Sequence, residues 1–339
     1  MKYILISLAV LAICEGIKAQ PYWENFETSS EASLRGLHAI SAKVCWASGS
    51  EGTVLRTRDG GKTWEDVSVP ASQELQFRDI HAFGADTALV LSAGLPALIY
   101  YTSDGGKNWL RTYENNDAGI FFDAMDFWDQ QRGIAFSDAP GNRLVLIETQ
   151  DGGKSWQHLP ESTLPKVATG QGGFAASGTC LRTLGPGKVI IGLGGPEATV
   201  LLSEDYGRTW YKTSAPLDHG EASKGIFSFA FRNEKEGFCT GGDYRADSLT
   251  GFNIARTTDG GRSWFVSGDE TILGRYRSCI AYLNKDTLLT VSRNSGNYSL
   301  DAGESWNELE GGFYTISVAK DGAAWASGPA GSIALLHFP

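Results

Sequence analysis

The sequence is poor in the residues that most often carry out chemistry. Five of its 339 residues are histidine, five are cysteine and two are methionine. No two cysteines have CxxC spacing, which argues against a zinc knuckle or a thioredoxin-type redox pair. The chain also lacks a P-loop, a dinucleotide-binding glycine fingerprint and a G-x-S-x-G nucleophile elbow. We therefore expect neither a metal nor another cofactor, and no catalytic set can be assigned from motifs.

Positive charge is also scarce. Twenty-nine Lys and Arg residues oppose 39 Asp and Glu residues, for a formal net charge of −10. Binding to nucleic acid phosphates or to an anionic membrane surface requires a basic face. The composition therefore argues against both classes of partner.

Long apolar runs are missing except near the N-terminus. Residues 3–13 are apolar but too few to span a bilayer, and Lys2 precedes them. Ala19 before Gln20 provides a small residue at a cleavage point, so we predict a signal peptide over residues 1–19 and export to the periplasm or beyond. Cys14 leaves a lipoprotein interpretation open, although Ile13 fits a lipobox poorly.

Glycine, in contrast, is abundant, and much of it belongs to an internal repeat. A motif with Thr or Ser, then Asp, Gly and Trp at fixed spacing occurs six times at intervals of 42 to 54 residues. An interval of this length fits four short strands and their turns, which is one blade of a β-propeller. The motif aspartates are Asp59, Asp104, Asp151, Asp205, Asp259 and Asp301, and the tryptophans are Trp64, Trp109, Trp156, Trp210, Trp264 and Trp306.

Each copy of the motif is typical of a hairpin turn. Glycine supplies the positive φ that the turn needs, and the aspartate carboxylate can accept N–H groups within the loop. The tryptophan begins the next strand and buries a large ring. Six catalytic sites in one ring would be implausible, so we interpret these aspartates as structural.

The chain ends supply a seventh blade. Residues 324–328 repeat the pattern of residues 45–49, but no motif follows them. Trp23 begins a segment that resembles the strand after each motif, so we predict that residues 22–28 pair with the C-terminal strands. This closure would remove an exposed sheet edge. The sequence thus predicts an all-β, seven-bladed propeller of four-stranded antiparallel blades, forming one domain over residues 20–339.

Four cysteines remain after the predicted cleavage: Cys45, Cys180, Cys239 and Cys279. Each lies in a short apolar run, and we interpret them as buried free thiols. Export permits disulfides, and a Cys239–Cys279 bridge between neighbouring blades remains open.

A binding site is expected on the face opposite the repeated turns. The longest loops there cover residues 161–174 and 243–252, and long loops in compact domains are often functional. Alignment of the inner strands places three arginines, Arg35, Arg78 and Arg277, at matching positions. Asp79 and Asp123 occupy the next position along the strand. The candidate ligand-binding residues are Arg35, Arg78, Arg277, Arg293, Tyr244 and Glu197, and the candidate catalytic carboxylates are Asp123, Asp138 and Asp243.

These residues have two interpretations. Arginine forks can hold a carboxylate, a phosphate or an acidic peptide. Alternatively, the charged side chains pair with one another and line a wet channel without a ligand. The histidines add little, because His38 and His81 occupy equivalent places in two blades, as packing residues would.

The motif resembles the Asp-box repeat of bacterial neuraminidases. The D-G-G-x-x-W variant, the chain length and the predicted blade number also resemble the photosystem II assembly and stability factors. That resemblance implies an exported, non-enzymatic propeller with an arginine-rich face that holds a membrane-protein partner, although nothing in the sequence itself points to photosynthesis. The sialidases also resemble the chain in their Asp boxes, but their Arg-Ile-Pro signature is absent, no Tyr/Glu pair can be assigned and they have six blades.

Our hypothesis is an exported, monomeric binding or assembly-assisting propeller. Its ligand would be a protein partner, a carbohydrate or an acidic ligand. The alternative is a glycoside hydrolase that uses two channel-face carboxylates, which would need the right separation.

Overall fold

The computed structural model describes residues 20–138, 140–247, 251–267 and 274–338. The predicted signal peptide, with Cys14, lies outside the described residues. Strands dominate, and the helical segments described are two single 3-10 turns, Pro140–Asn142 and Glu161–Thr163. No helix among the described residues is long and apolar enough to cross a membrane.

Seven antiparallel sheets follow one another along the chain, as the sequence predicts for a seven-bladed propeller. The strands of blade one are β2 (Leu34–Ala39), β3 (Cys45–Gly49), β4 (Val54–Thr57) and β5 (Glu65–Asp66). Those of blade two are β6 (Gln76–Ala82), β7 (Ala88–Ala93), β8 (Ala97–Thr102) and β9 (Leu110–Asn115). Those of blade three are β10 (Phe122–Phe127), β11 (Gly133–Ser137), β12 (Val145–Thr149) and β13 (Gln157–His158).

The remaining blades repeat this order, from an inner strand at the channel to an outer strand. Blade four has β14 (Leu181–Gly185), β15 (Lys188–Gly192), β17 (Thr199–Ser203) and β18 (Tyr211–Ser214). Blade five has β19 (Glu221–Phe231), β20 (Gly237–Asp243), β21 (Ile254–Thr257) and β22 (Phe265–Val266), and gains the short β16 (Gly194–Gly195). Blade six has β23 (Cys279–Tyr282), β24 (Leu288–Ser292), β25 (Ser295–Ser299) and β26 (Asn307–Leu309).

Blade seven is built from both ends of the chain. The inner three strands are β27 (Thr315–Val318), β28 (Ala324–Ser327) and β29 (Ile333–His337), and β1 (Tyr22–Phe26) is the outer strand. The pairing of β1 with β29 is antiparallel, with Trp23 opposite Leu336. The predicted closure by the N-terminal strand is therefore confirmed, and it protects the edge of β29.

The six Asp boxes form one recurring hydrogen-bonded turn. In every box, one aspartate oxygen accepts the backbone N–H four residues later at 2.8–2.9 Å. The Thr or Ser two residues before the aspartate donates its hydroxyl to the same carboxylate, as in Thr102 to Asp104 at 3.0 Å. Each box also donates a backbone N–H to the hairpin between the first two strands of its blade, as Gly105 does to Asp86 at 2.8 Å. All boxes therefore lie on the face of these hairpins, here called the Asp-box face.

Neighbouring blades are joined near the channel by side chains that accept a backbone N–H from the next inner strand. Blades two and three are joined by Asp79, blades three and four by Asp126 and blades five and six by Ser228. Between blades six and seven, the Cys279 sulfur accepts the Ile316 N–H at 3.4 Å. Between blades seven and one, the Ser317 hydroxyl accepts the Ala39 N–H at 2.9 Å. The inner ring is thus connected by directional bonds as well as by apolar packing.

Apolar side chains fill the spaces between adjacent blades, and the cysteines lie in these layers. All four described cysteines are buried free thiols, in agreement with our interpretation. Cys239 packs between blades four and five, whereas Cys279 packs between blades six and seven. The structure therefore contains no Cys239–Cys279 bridge. Burial raises the pKa of the Cys45, Cys180 and Cys239 thiols, so none of these three is a ready nucleophile.

Candidate functional site

A β-bulge places one unpaired residue near the start of three inner strands and in the middle of the longer inner strand of blade five. The pairing register slips by one residue between Leu34 and Gly36, and the same slip occurs in blades two, three and five. A bulge turns one side chain away from the regular alternation of the strand. The four bulge residues are Arg35, Arg78, Asp123 and Phe227.

All four bulge residues line one cavity of about 460 Å³ at the channel mouth. This mouth is formed by the inner-strand starts and lies on the side away from the Asp boxes; we call it the channel face. Blades six and seven contribute Tyr276 and Tyr314, and the loop of residues 173–176 forms the floor. We call this space the arginine pocket.

Two arginines lie side by side in the pocket. The Arg35 guanidinium donates to the Ala176 carbonyl at 3.4 Å and stacks 4.2 Å from the centre of the Tyr314 ring. Arg78 donates to the Ala175 carbonyl at 3.5 Å and to Gln76 Oε1 at 3.1 Å. Burial and the neighbouring Arg35 charge lower the pKa of Arg78. The two positive charges repel each other, so an anion between them would relieve repulsion.

Aromatic rings form the opposite wall. Phe174 stacks on Phe227 with ring centroids 3.8 Å apart, and Tyr276 meets Phe227 edge to face at 4.9 Å. Tyr244, which is 39% exposed, covers the outer edge of this stack. The pocket thus combines donors for an anion with an apolar wall that can hold a side chain.

Two carboxyl groups lie at the base of the pocket, where Asp123 lines the cavity and Asp138 lies beneath Gly173. Asp123 is 1% exposed, and its carboxyl group lies next to the Ala175 N–H and the Asp138 side chain. Its neighbour Asp138 is half-buried and accepts the Gly173 N–H at 2.9 Å. Burial, followed by the Asp138 charge, raises the pKa of Asp123 well above its usual range, and burial also raises the pKa of Asp138. A Cβ on residue 173 would lie 2.6 Å from the Asp123 Cγ, so only glycine allows this close cover.

The loop before blade four crosses the channel beneath the pocket. Its carbonyls accept hydrogen bonds from Arg35 and Arg78. The Ser177 hydroxyl donates to the Ser278 carbonyl at 2.9 Å, and the Ser177 carbonyl accepts the Thr315 hydroxyl at 3.1 Å. We call residues 173–178 the crossing segment. It separates the arginine pocket from a second cavity of about 590 Å³ that opens toward the Asp-box face and is lined by His38, His81 and Arg182.

The structure brings together only part of the set proposed from the sequence. Arg35, Arg78, Arg293, Tyr244 and Asp123 line the arginine pocket, and Asp138 lies beneath it. Arg293 is already paired with Asp247 at 2.8 Å. Glu197 lies outside the cavity and faces Lys212 at 3.4 Å. Asp243 also lies outside, where it accepts the Arg245 N–H at 2.9 Å.

Arg277 is the main departure from the sequence alignment. It is 2% exposed and does not line the pocket; its guanidinium donates to the Tyr276 carbonyl at 2.9 Å and to Asn297. Burial lowers its pKa to about 10. The alignment of Asp123 with Asp79 also needs correction. In the structure, Asp123 is the bulge residue of its strand and is equivalent to Arg78, not to Asp79, which follows the bulge. The residue inserted by a bulge changes which side chain faces the channel.

Sequence reasoning missed the aromatic half of the pocket and the crossing segment. The long loop at residues 161–174 was a signal for the segment, but its path across the channel depends on the assembled ring. The sequence predicts no role for Phe227, Tyr276 or Tyr314, and only the bulge register distinguishes Phe227 from the core strand around it. Among the described residues, no group of three His, Cys, Asp or Glu side chains could hold a metal ion.

Comparison with known proteins identifies similar propellers. The model of the family described as photosynthesis system II assembly factor YCF48 matches residues 16–119. The chain is 37% identical over 67 residues to the photosystem II stability/assembly factor HCF136 of Arabidopsis thaliana, covering 19% of this chain and 16% of that protein. It is 25% identical over 136 residues to the photosystem II assembly lipoprotein Ycf48 of a Synechococcus strain, covering 40% and 39%. The matched segments thus span less than half the length of these two relatives.

The solved structures extend the likeness to the whole ring. A structure of YCF48 bound to D1 peptide superposes with a TM-score of 0.68 at 18% identity, over 94% of this chain and 97% of the other. At this level of identity the superposition shows a shared fold.

Proposed function

We propose that this Ycf48-like Asp-box β-propeller is an exported binding protein that holds an acidic segment of a partner protein in its arginine pocket. The observation that carries the proposal is the pair Arg35 and Arg78, adjacent in one cavity beside an aromatic wall. Arginine binds carboxylates through paired N–H donors, and the bonds it makes here to loop carbonyls are long, at 3.4 and 3.5 Å. A ligand carboxylate can replace them with shorter, charge-assisted bonds.

The relatives support a protein as the ligand. One similar propeller has been solved with a D1 peptide bound, and several relatives are named for assembly of photosystem II. We extend to this chain the general role of holding a protein segment during assembly. Export follows from the predicted signal peptide over residues 1–19.

A glycoside hydrolase is less well supported by the geometry. Paired-acid hydrolysis requires two carboxyl groups that reach the substrate from opposite sides. Asp123 is buried under Gly173, and Asp138 lies beside it under the same floor. Asp243 lies outside the pocket. These positions favour a binding role for the pocket.

The test uses the exported chain, without residues 1–19, and a panel of fluorescent peptides. The panel contains the D1 peptide, acidic peptides with free or amidated C-termini, and lysine-substituted versions of each; a set of glycosides is added separately. Binding is measured by fluorescence anisotropy at fixed ionic strength, because arginine–carboxylate contacts weaken with salt. We expect at least one acidic peptide to bind and its lysine version not to bind.

Arg35→Ala and Arg78→Ala should each weaken that binding at least tenfold. Arg58→Ala is the matched control, since Arg58 is an exposed arginine of the first Asp-box turn on the opposite face. If acidic peptides bind equally to the wild type and to both pocket variants, the proposed site is wrong. Glycoside hydrolysis lost in Asp123→Asn would instead establish the enzymatic alternative.

A further inference from the structure

The wall of the arginine pocket contains an acid, Asp123, beside Arg78. Asp123 occupies the same bulge position as Arg78, in the neighbouring blade, so the two side chains enter the pocket wall from adjacent strands. They form no hydrogen bond with each other, because Arg78 donates to Ala175 and Gln76. An acid and a base that line the same cavity without a bond between them raise the question of whether Asp123 is charged.

We propose that Asp123 is a positioning residue that sets the affinity of the arginine pocket for anions through its own protonation. When Asp123 is neutral, the Arg78 charge is available to a ligand carboxylate. When Asp123 is ionised, its charge cancels that of Arg78 and competes with the ligand. The proposal deepens the proposed function, on which it rests for the pocket as the binding site.

Burial and a second acid favour the neutral form of Asp123, whereas Arg78 and the Ala175 N–H favour the charged form. Asp138, from the end of the neighbouring strand, is a second acid and disfavours a nearby negative charge. The crossing segment covers Asp123 with Gly173 and brings no charged side chain, and the Cys180 thiol that follows this segment is buried and neutral. Arg78 is the cation that favours ionisation, and it is itself repelled by Arg35. Burial outweighs the single Arg78 charge, so the pKa of Asp123 is raised well above its usual range.

Linkage then fixes the direction of the pH effect. An anion bound at Arg78 disfavours a charge on Asp123, so binding above the pKa of Asp123 must take up a proton. Affinity for an anion should therefore be highest at acidic pH and fall by up to about tenfold per pH unit above that pKa. No histidine is among the residues that line the pocket, so an imidazole there does not explain such a fall.

The experiment combines two measurements on the exported chain, with sulfate as the probe because its charge is constant between pH 5 and 9. First, the side-chain carboxyl carbon of Asp123 is followed by NMR and assigned by its loss in Asp123→Asn. We expect its pKa to lie well above the usual range of an aspartate. Second, sulfate affinity is measured by NMR titration at constant ionic strength. It should fall with rising pH in the wild type and vary less than about twofold in Asp123→Asn.

Two further variants separate the pH effect from a merely structural role. Asp138→Asn removes the second acid, so the pH of half-maximal loss should move to a lower value while the loss itself remains. Asp117→Asn is the matched control, because Asp117 is an exposed acid in the loop before the same inner strand. It should follow the wild type at every pH.

The outcomes are distinct. The inference is overturned if Asp123 titrates in the usual range of an aspartate, or if its pKa is raised and sulfate affinity is absent or independent of pH. If both measurements agree with it but no peptide of the panel binds, the proposed function fails alone. Peptide binding that does not change with pH in the wild type would leave the function standing and refute the role of Asp123.

Discussion

One carboxylate oxygen of Asp79 accepts the Met125 N–H at 2.7 Å across the boundary between blades two and three. The other oxygen accepts the N–H of Ile80 in its own strand at 2.8 Å. A buried side chain thereby satisfies one backbone donor in each of two neighbouring sheets. The bond joins strands that share no ladder, so it contributes to holding the ring together.

Replacing this carboxylate tests its contribution. In Asp79→Asn the amide can accept only one of the two N–H groups and turns a donor toward the other. We expect the free energy of unfolding to fall by about 1–3 kcal/mol. Urea unfolding followed by tryptophan fluorescence measures the change. Asp117→Asn, on the exposed surface, should stay within about 0.5 kcal/mol of the wild type, and an equal loss in both variants would contradict the proposed bond.

The Asp-box hydroxyl should matter for stability and not for binding. Thr102 is 1% exposed and accepts the Gly106 N–H at 2.9 Å. Thr102→Val leaves this donor unsatisfied and should lower the free energy of unfolding by about 1–3 kcal/mol. Thr112→Val serves as control, because the Thr112 hydroxyl makes a long 3.5 Å bond. Peptide affinity should be unchanged in both variants, since the boxes lie opposite the pocket, and a change in affinity would show coupling between the faces.

Ring closure depends on one large side chain of the first strand. Trp23 is 8% exposed and packs on Phe313 with ring centroids 5.1 Å apart. Removal of a buried tryptophan side chain should cost about 3–5 kcal/mol, so Trp23→Ala should show a lower midpoint in urea. Tyr22→Ala, at a neighbouring position that is 61% exposed, should lose less than about 1 kcal/mol. Similar losses in the two would mean that this strand closes the ring without burying Trp23.

The four cysteines of the described chain should be unreactive while the protein is folded. All are buried, and burial raises the thiol pKa of three of them. We expect no alkylation by iodoacetamide in native buffer and alkylation of all four after unfolding in urea without a reductant. Mass spectrometry counts the adducts. Only two adducts after unfolding would reveal a disulfide that the structure does not contain.

His38 should make the fold sensitive to acid. Burial lowers its pKa to about 4 from an ordinary value of 6.5. The folded state therefore resists protonation, and the stability gained by keeping the imidazole neutral is complete above pH 6.5 and is lost as pH falls toward 4. His38→Gln removes the titrating imidazole and with it the pH dependence that it causes. The difference in free energy of unfolding between wild type and variant should therefore change by about 2 kcal/mol between pH 7 and 4.5. A constant difference would mean that His38 keeps its ordinary pKa.

The sequence was sufficient for the fold because its signals are local and repeated. Each Asp box is specified by residues within eight positions, and Trp23 marks the strand that completes blade seven. The pocket was harder to predict. The sequence correctly predicts Arg35, Arg78 and Asp123 near the channel mouth, but it also predicts Arg277 there, because spacing in sequence does not show where a bulge inserts a residue.

The aromatic half of the pocket, which the sequence does not predict, depends on contacts between residues that are far apart in the chain. Phe174 reaches the pocket because its loop crosses the channel, and this path is fixed by contacts such as that of Ser177 with Ser278, 101 positions later in the chain. No short-range pattern contains that information. Tyr276 and Tyr314 likewise face the pocket only because blades six and seven lie opposite blade three in the closed ring.

The bulges also bear on how such a pocket can change over time. A bulge residue has no partner in the strand ladder, so its replacement leaves the backbone pairing of its blade intact. The residues that give the pocket its chemistry are therefore largely separate from those that hold the sheets together. Duplicated copies of one propeller could exchange arginine, acid or phenylalanine at these few places and acquire new ligands, while inheriting the same scaffold unaltered.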